Sequence, residues 1–412
     1  MDRDSVNGSP TPSGPKRVLF WLILCAIPLV ALEGGLRAYF AYQLGSSILF
    51  YGTPLNREKG GDARSGDLHI LDKYFKYHPH QQRFTRDHET GRLVRATINK
   101  SGFRGRDFET PKPPHVIRVV TLGASSTFGF SDRDDETYPS YLEEALNRER
   151  PGTERFEVLN LAIPHLTSGQ ILALFEAEAL PLDPDVVTFY EGINDSWRSA
   201  VWWKKVQTGK HVVRDNLRKI SPLHEGFLWL RNHFLTIALA DGYMKRQRKV
   251  EFTEADLEQH LRGKSDTFIE NVAAIYDQCR KRGITFIVAS QQAKSLLIDR
   301  NRIKGITYEE EVELVRQDLA RNHHITAQEL YFLTHSVLMT DLEKWATTHD
   351  VPYVDAIGAT DARRDCLVSW VHLNPEGHRI VAAAFARKIL SEVARHQIAA
   401  PAPETRGNEN GS

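Results

Sequence analysis

The sequence lacks an excess of either charge, since Lys and Arg together number 53 and Asp and Glu also number 53. No net field therefore draws it to nucleic acid, and no basic stripe is interleaved with aromatic residues. Nucleic acid is not expected as a partner. Cysteine is scarce: of three, Cys25 sits in an apolar run, which leaves Cys279 and Cys366 either for one disulfide or as two buried thiols. No His/Glu or Cys/His spacing has the form of a metal site, and the chemistry expected below needs neither a metal nor a cofactor. A second run long enough to span a bilayer is also missing, because the apolar piece Phe227–Leu239 is too short.

The first long apolar run is Val18–Leu32, preceded by Lys16 and Arg17 and followed by Glu33-Gly34-Gly35-Leu36-Arg37. Extended by Leu36–Leu44, it approaches the length of a spanning helix. No small-x-small cleavage site follows it, and Leu24 before Cys25 argues against lipid attachment, so an uncleaved anchor over 16–44 is expected. The basic residues before the run put residues 1–15, expected to be disordered, in the cytoplasm and the remainder outside. Residues 45–113 read as a stalk that wraps the main domain. Within it Asn99-Lys100-Ser101-Gly102-Phe103-Arg104-Gly105 is dense in turn formers. It is either a turn with Phe103 packed down or a grip by Arg104 on an anionic substrate.

From Val116 the pattern alternates between strand and helix. Apolar strands are expected at Val116–Leu122, Phe156–Leu161, Val186–Tyr190, Ile284–Ser290 and Val351–Ala356. Thr137-Tyr138-Pro139 opens one helix and Asn374-Pro375-Glu376 the last. Five such units in succession imply an α/β fold of three layers, α/β/α, around a five-stranded, mainly parallel sheet, spanning 114–396. Residues 197–262, with Trp197, Trp202, Trp203 and Trp229, read as a helical insertion: a buried helix, a lid, or an amphipathic face on the membrane. Ile306–Asp350 reads as two helices, with His323-His324 a polar cap between them. The tail from 397 to 412 is expected to be disordered.

Ligands in open parallel sheets bind at the carboxyl ends of the strands, where Ser125, Ala162 and Asn194 would converge. Gly123-Ala124-Ser125 forms a sharp strand-to-helix turn that exposes a nucleophile. His372, on the loop before the last helix, would be the base. The backbone N–H groups of Ser125 and Ala162 and the Asn194 amide would receive an oxyanion, with Gly123 and Gly192 supporting the turns. His378, Glu191 and Asp195 read as structural groups.

In order and in type these blocks resemble the SGNH (GDSL-type) hydrolases. The nucleophile block is similar to Gly123-Ala124-Ser125, the oxyanion glycine falls at Ala162, Gly-x-Asn-Asp is complete as Gly192-Ile193-Asn194-Asp195, and the terminal block resembles Ser369-Trp370-Val371-His372-Leu373-Asn374-Pro375-Glu376-Gly377-His378. The resemblance implies a flavodoxin-like sheet and a serine esterase acting through a Ser-His acyl-enzyme. The anchor and the Gly-Phe-Arg-Gly stretch are similar to membrane-tethered members, among which are glycan deacetylases and acyltransferases. That implies a cell-membrane enzyme with an extracytoplasmic domain acting on the O-acyl, foremost O-acetyl, groups of a glycan or on another small ester. An O-acyltransferase and a catalytically weak glycan-binding protein are the alternatives. The chain departs from the family pattern most at Ser369, three before His372, where a carboxylate normally orients the imidazole. Asp365, a backbone carbonyl or Ser369 itself is left to hold the ring.

Overall fold

The computed structural model describes residues 14–44, 49–50, 68–70, 73–80, 82–86, 93–130, 132–150, 154–197 and 222–399. Residues 1–13, most of the stalk between 45 and 92, Trp202 and Trp203 of the insertion, and the tail from 400 lie outside the described residues. In chain order, helix α1 (Gly14–Leu44) precedes two antiparallel pairs, β1 (Leu68–Ile70) with β2 (Phe75–Tyr77) and β3 (Gln82–Arg86) with β4 (Leu93–Thr97). The central sheet begins at β5 (Val116–Gly123), followed by the short helix α2 (Ser125–Phe128), α3 (Tyr138–Glu149), β6 (Arg155–Asn160), α4 (Ser168–Leu174) and β7 (Val186–Tyr190).

Helices α5 (Pro222–His233) and α6 (Leu235–Gln247) follow, then β8 (Lys249–Glu251), α7 (Glu254–Leu261), α8 (Asp266–Lys281) and β9 (Thr285–Ala289). The chain continues through α9 (Tyr308–Asn322), β10 (His324–Thr326), α10 (Ala327–Thr348), β11 (Tyr353–Val354), α11 (Ala356–Asp361) and α12 (Pro375–Ala399). Two compact units result. One holds residues up to Gly66 together with Asn216–Lys245, the other Asp67–Asp215 and Arg246 onward.

In the larger unit the central sheet has the order β11-β9-β7-β5-β6, and every neighbouring pair is parallel. Chain direction across the sheet reverses at β5, between β6 on one side and β7 on the other, which makes the carboxyl ends of β5 and β7 the natural crevice. Burial explains the strand sequences. Val186, Val187, Thr188, Phe189 and Tyr190 of β7 are all buried, as a strand covered on both faces requires. One face packs against α8 through Phe268, Val272, Ile275 and Cys279; the other packs against α3 and α12 through Leu142, Leu146, Val381 and Phe385. Cys279 belongs to the first core and Cys366 to the second, so the sheet separates them and both are free thiols.

Several helix starts follow from local chemistry. The α10 start is a reciprocal cap in which Thr326 Oγ1 accepts from Glu329 N at 3.2 Å and Glu329 Oε2 accepts from Thr326 N at 2.7 Å. His323 ends α9 in the left-handed conformation, with φ 53°. The apolar segment 227–239 is not one helix: α5 and α6 break at Phe234.

Candidate active site

Ser125 is the first residue of α2, directly beyond the carboxyl end of β5. Its turn is tight for a steric reason, since a Cβ at Gly123 would collide with Thr127 Oγ1 and the Tyr190 carbonyl. A Cβ at Gly192 would likewise meet the Met339 side chain. At Gly123 the obstacle includes backbone and cannot yield, whereas at Gly192 it is the flexible end of the methionine.

Ser125 Oγ lies 2.9 Å from His372 Nε2. The opposite ring nitrogen, Nδ1, lies 2.9 Å from Ser369 Oγ. That hydroxyl oxygen also accepts the backbone N–H of His372 at 3.0 Å and of Val371 at 3.3 Å, so the loop carrying the histidine closes on Ser369. Phe130 stacks on the imidazole with centroids 5.3 Å apart and planes inclined by 26°. Asp365 makes no hydrogen bond to His372; its Oδ1 is 3.2 Å from Arg363 Nε, and its carbonyl oxygen accepts from Arg300 Nε at 3.0 Å. For Ser125 to donate its proton to Nε2, the neutral ring must carry its own proton on Nδ1, and Ser369 Oγ then accepts it in competition with the longer bond from Val371 N, since a hydroxyl oxygen has two lone pairs.

The other expected residues stand beyond the ends of the strands on either side of β5. Asn194 is half-buried in the helical segment 193–197 after β7; its Nδ2 donates to the Leu166 carbonyl at 2.8 Å, and its backbone N–H donates to Glu191 Oε1 at 2.9 Å. Ala162 is fully buried, and its N–H donates to Asn160 Oδ1 at 3.1 Å. An oxyanion would have to share or displace that bond. Asp195 holds α4 rather than the reacting atoms, accepting from Ser168 N at 2.8 Å and Ser168 Oγ at 2.7 Å. His378 Nε2 is 3.0 Å from Asp132 Oδ2 in a buried pair that fixes the loop after α2 to the last helix.

Arg104 is 4% exposed and is directed into the protein. It donates to the carbonyls of Phe128 at 2.9 Å, of Gly129, and of Asp132 at 2.5 Å, and it pairs with Asp134 at 3.0 Å. The Asn99–Gly105 turn thus supports the loop that follows α2, and its guanidinium is taken up there.

One residue that no motif marks in the sequence links three of these blocks. Gln291, fully buried just beyond β9, accepts from Ile193 N at 2.9 Å through Oε1 and donates to Ser126 Oγ at 3.1 Å through Nε2. Ser126 Oγ in turn donates to the Val371 carbonyl at 3.3 Å. The neighbours of Asn194, Ser125 and His372 are therefore held through a single side chain. Its signal in the sequence was only its place, a polar pair Gln291-Gln292 immediately after the fourth strand.

Burial sets the charge state of the support. Glu191, fully buried, has its carboxyl pushed up to about 8, mainly by desolvation, although the Asn194 backbone N–H works in the opposite direction. His335, buried against Gly192, is pushed down to about 3 by the same cause, and its Nδ1 is 2.7 Å from Tyr308 Oη. Among the described residues no group of three or more His, Cys, Asp or Glu could hold a metal ion.

Residues 121–380 match the model of the GDSL-like lipase/acylhydrolase family. Among solved structures, a catalytic mutant of an acetylxylan esterase from Geobacillus stearothermophilus is 15% identical, covering 66% of this chain and 93% of its own, with a TM-score of 0.36. A GDSL-like lipase from Bacteroides thetaiotaomicron is 14% identical over 69% of this chain and 93% of its own, with a TM-score of 0.36. A lipase/acylhydrolase from Enterococcus faecalis is 14% identical over 67% and 96%, with a TM-score of 0.36. At such identities and scores these likenesses add nothing to the chemistry. No curated protein gives a significant match. The family match covers more than half of the chain and contains the Ser125 turn, the Gly192-Ile193-Asn194-Asp195 block and the His372 loop: the chain belongs to the GDSL-like lipase/acylhydrolase family and is an ester-hydrolysing enzyme.

Proposed function

We propose that the protein removes O-acyl groups, foremost O-acetyl, from a glycan at the outer surface of the membrane that α1 crosses, through an acyl-enzyme on Ser125. The observation that carries this reading is the aligned chain Ser125 Oγ, His372 Nε2, His372 Nδ1, Ser369 Oγ, with 2.9 Å at each end of the ring.

His372 takes the Ser125 proton as Oγ attacks the ester carbonyl carbon. The Ser125 N–H, an orphan donor at the first position of α2, and the Asn194 amide receive the negative charge on the carbonyl oxygen. Leu166 engages one amide proton of Asn194 and so aims the other. The Ala162 N–H joins once it is shared with Asn160 Oδ1. Each such donor contributes about 3 kcal/mol in the transition state. The tetrahedral centre collapses as His372 Nε2–H protonates the departing sugar oxygen, leaving acyl-Ser125. Water then attacks, giving its proton to His372, and the carboxylic acid leaves as Ser125 Oγ regains a proton.

Aromatic residues close in sequence to His372 and Asn194 favour a sugar as the alcohol part. Trp370 lies two positions before His372 and Trp197 two after Asp195; Trp197 is 42% exposed, and Trp370 is half-buried. Tyr331 joins them, its ring 6.4 Å from that of Trp370. Indole faces present apolar area with a polar edge, which suits the C–H face of a pyranose.

The test is acetate release from O-acetylated oligosaccharides by the full chain in detergent or bilayers, compared with Ser125→Ala and His372→Ala. Release by the wild type that is lost in both variants supports the reading. Release unchanged by Ser125→Ala, or hydrolysis of aryl acetates with none from any acetylated glycan, overturns its mechanism or its substrate class respectively.

A further inference from the structure

In the smaller unit, two charged residues of α1 are engaged by the break between α5 and α6. Glu33 and Arg37, one turn apart, form an ion pair at 2.7 Å. Glu33 Oε1 accepts from Leu235 N at 2.8 Å, and Oε2 accepts from Thr236 N at 2.8 Å and Thr236 Oγ1 at 2.5 Å. Arg37 Nη2 donates to the His233 carbonyl at 2.8 Å, and Nη1 donates to that of Leu49 at 3.1 Å. Across the break itself Phe234 N donates to Leu230 O at 2.8 Å and Ala238 N to Phe234 O at 3.1 Å. Backbone groups that a helix end normally leaves to water are here taken by an ion pair on another helix.

The same α1 carries an apolar stretch, Arg17–Ala41, none of which is buried in the protein. Trp21 and Tyr39, both exposed, stand about 27 Å apart along the helix at 1.5 Å per residue, close to the hydrocarbon thickness of a bilayer. Aromatic side chains of that kind favour the two membrane interfaces. With Tyr39 at one interface, Glu33 falls about 9 Å inside it. A carboxylate at that depth is costly unless paired, and non-helical backbone there is tolerated only where its polar groups are satisfied. The α5–α6 break meets both conditions at once. Around it Phe227, Trp229, Leu230 and Phe234 are all exposed. They belong to the same compact unit as α1.

We propose that α5–α6 is a re-entrant hairpin that lies in the bilayer leaflet at the carboxyl-terminal end of α1, with Phe234 in the hydrocarbon at the level of Glu33 and lipid acyl chains covering its apolar face. The hairpin then anchors the enzyme beside the spanning helix. Removal of α1 would strip Leu235 and Thr236 of their acceptor, so the helix is a lasting part of the fold. This goes beyond the ester chemistry and does not depend on it.

The experiment places nitroxide labels in the full chain, reconstituted in phosphatidylcholine/phosphatidylglycerol vesicles. Cys25→Ser removes the exposed thiol, while Cys279 and Cys366 are buried. Labels at Phe234→Cys and, separately, Leu230→Cys are compared with Arg280→Cys, a site on the larger unit whose side chain is 68% exposed. Collision with oxygen should exceed collision with a water-soluble nickel chelate several-fold at 234 and 230, and the order should reverse at 280. Nickel access at 234 and 230 equal to that at 280 would overturn the proposal by placing the hairpin in water. Shielding from both reagents would overturn it by showing a protein, a second copy or another chain, on that face. Turnover of a small acyl ester by the same samples scores the catalytic reading separately, because neither label touches Ser125 or His372.

Discussion

Ser369 Oγ stands 2.9 Å from His372 Nδ1 while accepting the His372 backbone N–H at 3.0 Å. The imidazole is met by a neutral hydroxyl at the position where the family pattern has a carboxylate. A hydroxyl can fix the tautomer and orientation of the ring, but it cannot stabilise the imidazolium as an anion does. Loss of the anionic partner in a serine protease costs about 10⁴ in rate. On the proposed mechanism, Ser369→Ala lowers kcat on an aryl acetate by about tenfold with little change in KM, and Ser369→Asp raises kcat by about tenfold or more. Steady-state kinetics of the two variants checks this. A Ser369→Asp enzyme slower than Ser369→Ala would contradict the assigned role.

Gln291 offers a test of the framework rather than of the reacting groups. Gln291→Leu leaves Ile193 N without its buried acceptor, worth about 1–3 kcal/mol when unsatisfied, and removes the donor to Ser126 Oγ, which keeps the Val371 carbonyl. Chemical denaturation should show that loss. At temperatures where the variant remains folded, labelling of Ser125 by a phosphonate should slow by about tenfold as the three loops lose registry. Slowed labelling without destabilisation, or the reverse, would separate positioning from stability.

Glu191 makes stability depend on pH in an unusual sense. Its folded-state carboxyl titrates at about 8 against 4.5 for the ordinary value, so the folded state binds more protons than the unfolded one between those limits. Its contribution is fully present below about pH 4.5 and is lost as pH rises towards 8. Glu191→Gln, which keeps an acceptor for Asn194 N, should flatten this part of the stability curve. Urea midpoints from pH 5 to 8.5 provide the measurement, and identical slopes in wild type and variant would refute the buried protonated carboxyl.

For the aromatic residues the expected signature is selectivity. Trp370→Ala and Trp197→Ala should raise KM for an acetylated oligosaccharide by about tenfold each, as expected when an aromatic contact worth about 1.4 kcal/mol is lost, with aryl acetate turnover nearly unchanged. Equal effects on both substrates would remove the argument for a sugar platform.

Much of this arrangement is legible in the sequence, for identifiable reasons. Strands β5 and β7 are continuous apolar runs because both faces of the sheet are covered, and a run of that kind needs no tertiary information to be seen. The turn at Ser125, the loop at His372 and the block around Asn194 follow at strand ends and before a proline-started helix, where spacing alone limits the geometry. Gln291 is not legible in that way. Its value lies in reaching Ile193 and Ser126, which are far apart in sequence and brought together only by the sheet order. The choice among Asp365, a carbonyl and Ser369 is equally a matter of which way short loop side chains turn. Arg363 pairs with Asp365, a competition that spacing does not reveal. The break at Phe234 is hidden for a similar reason, since the groups satisfying it lie nearly two hundred residues away on α1.

The central claim, that Ser125 is a nucleophile activated by His372, is tested most directly by intact-mass analysis of the full-length enzyme after reaction with a fluorophosphonate. The account predicts a single adduct that maps to Ser125, is absent in Ser125→Ala and forms far more slowly in His372→Ala. An adduct that persists in Ser125→Ala, or a wild-type enzyme that hydrolyses esters yet takes up no phosphonate, would contradict it.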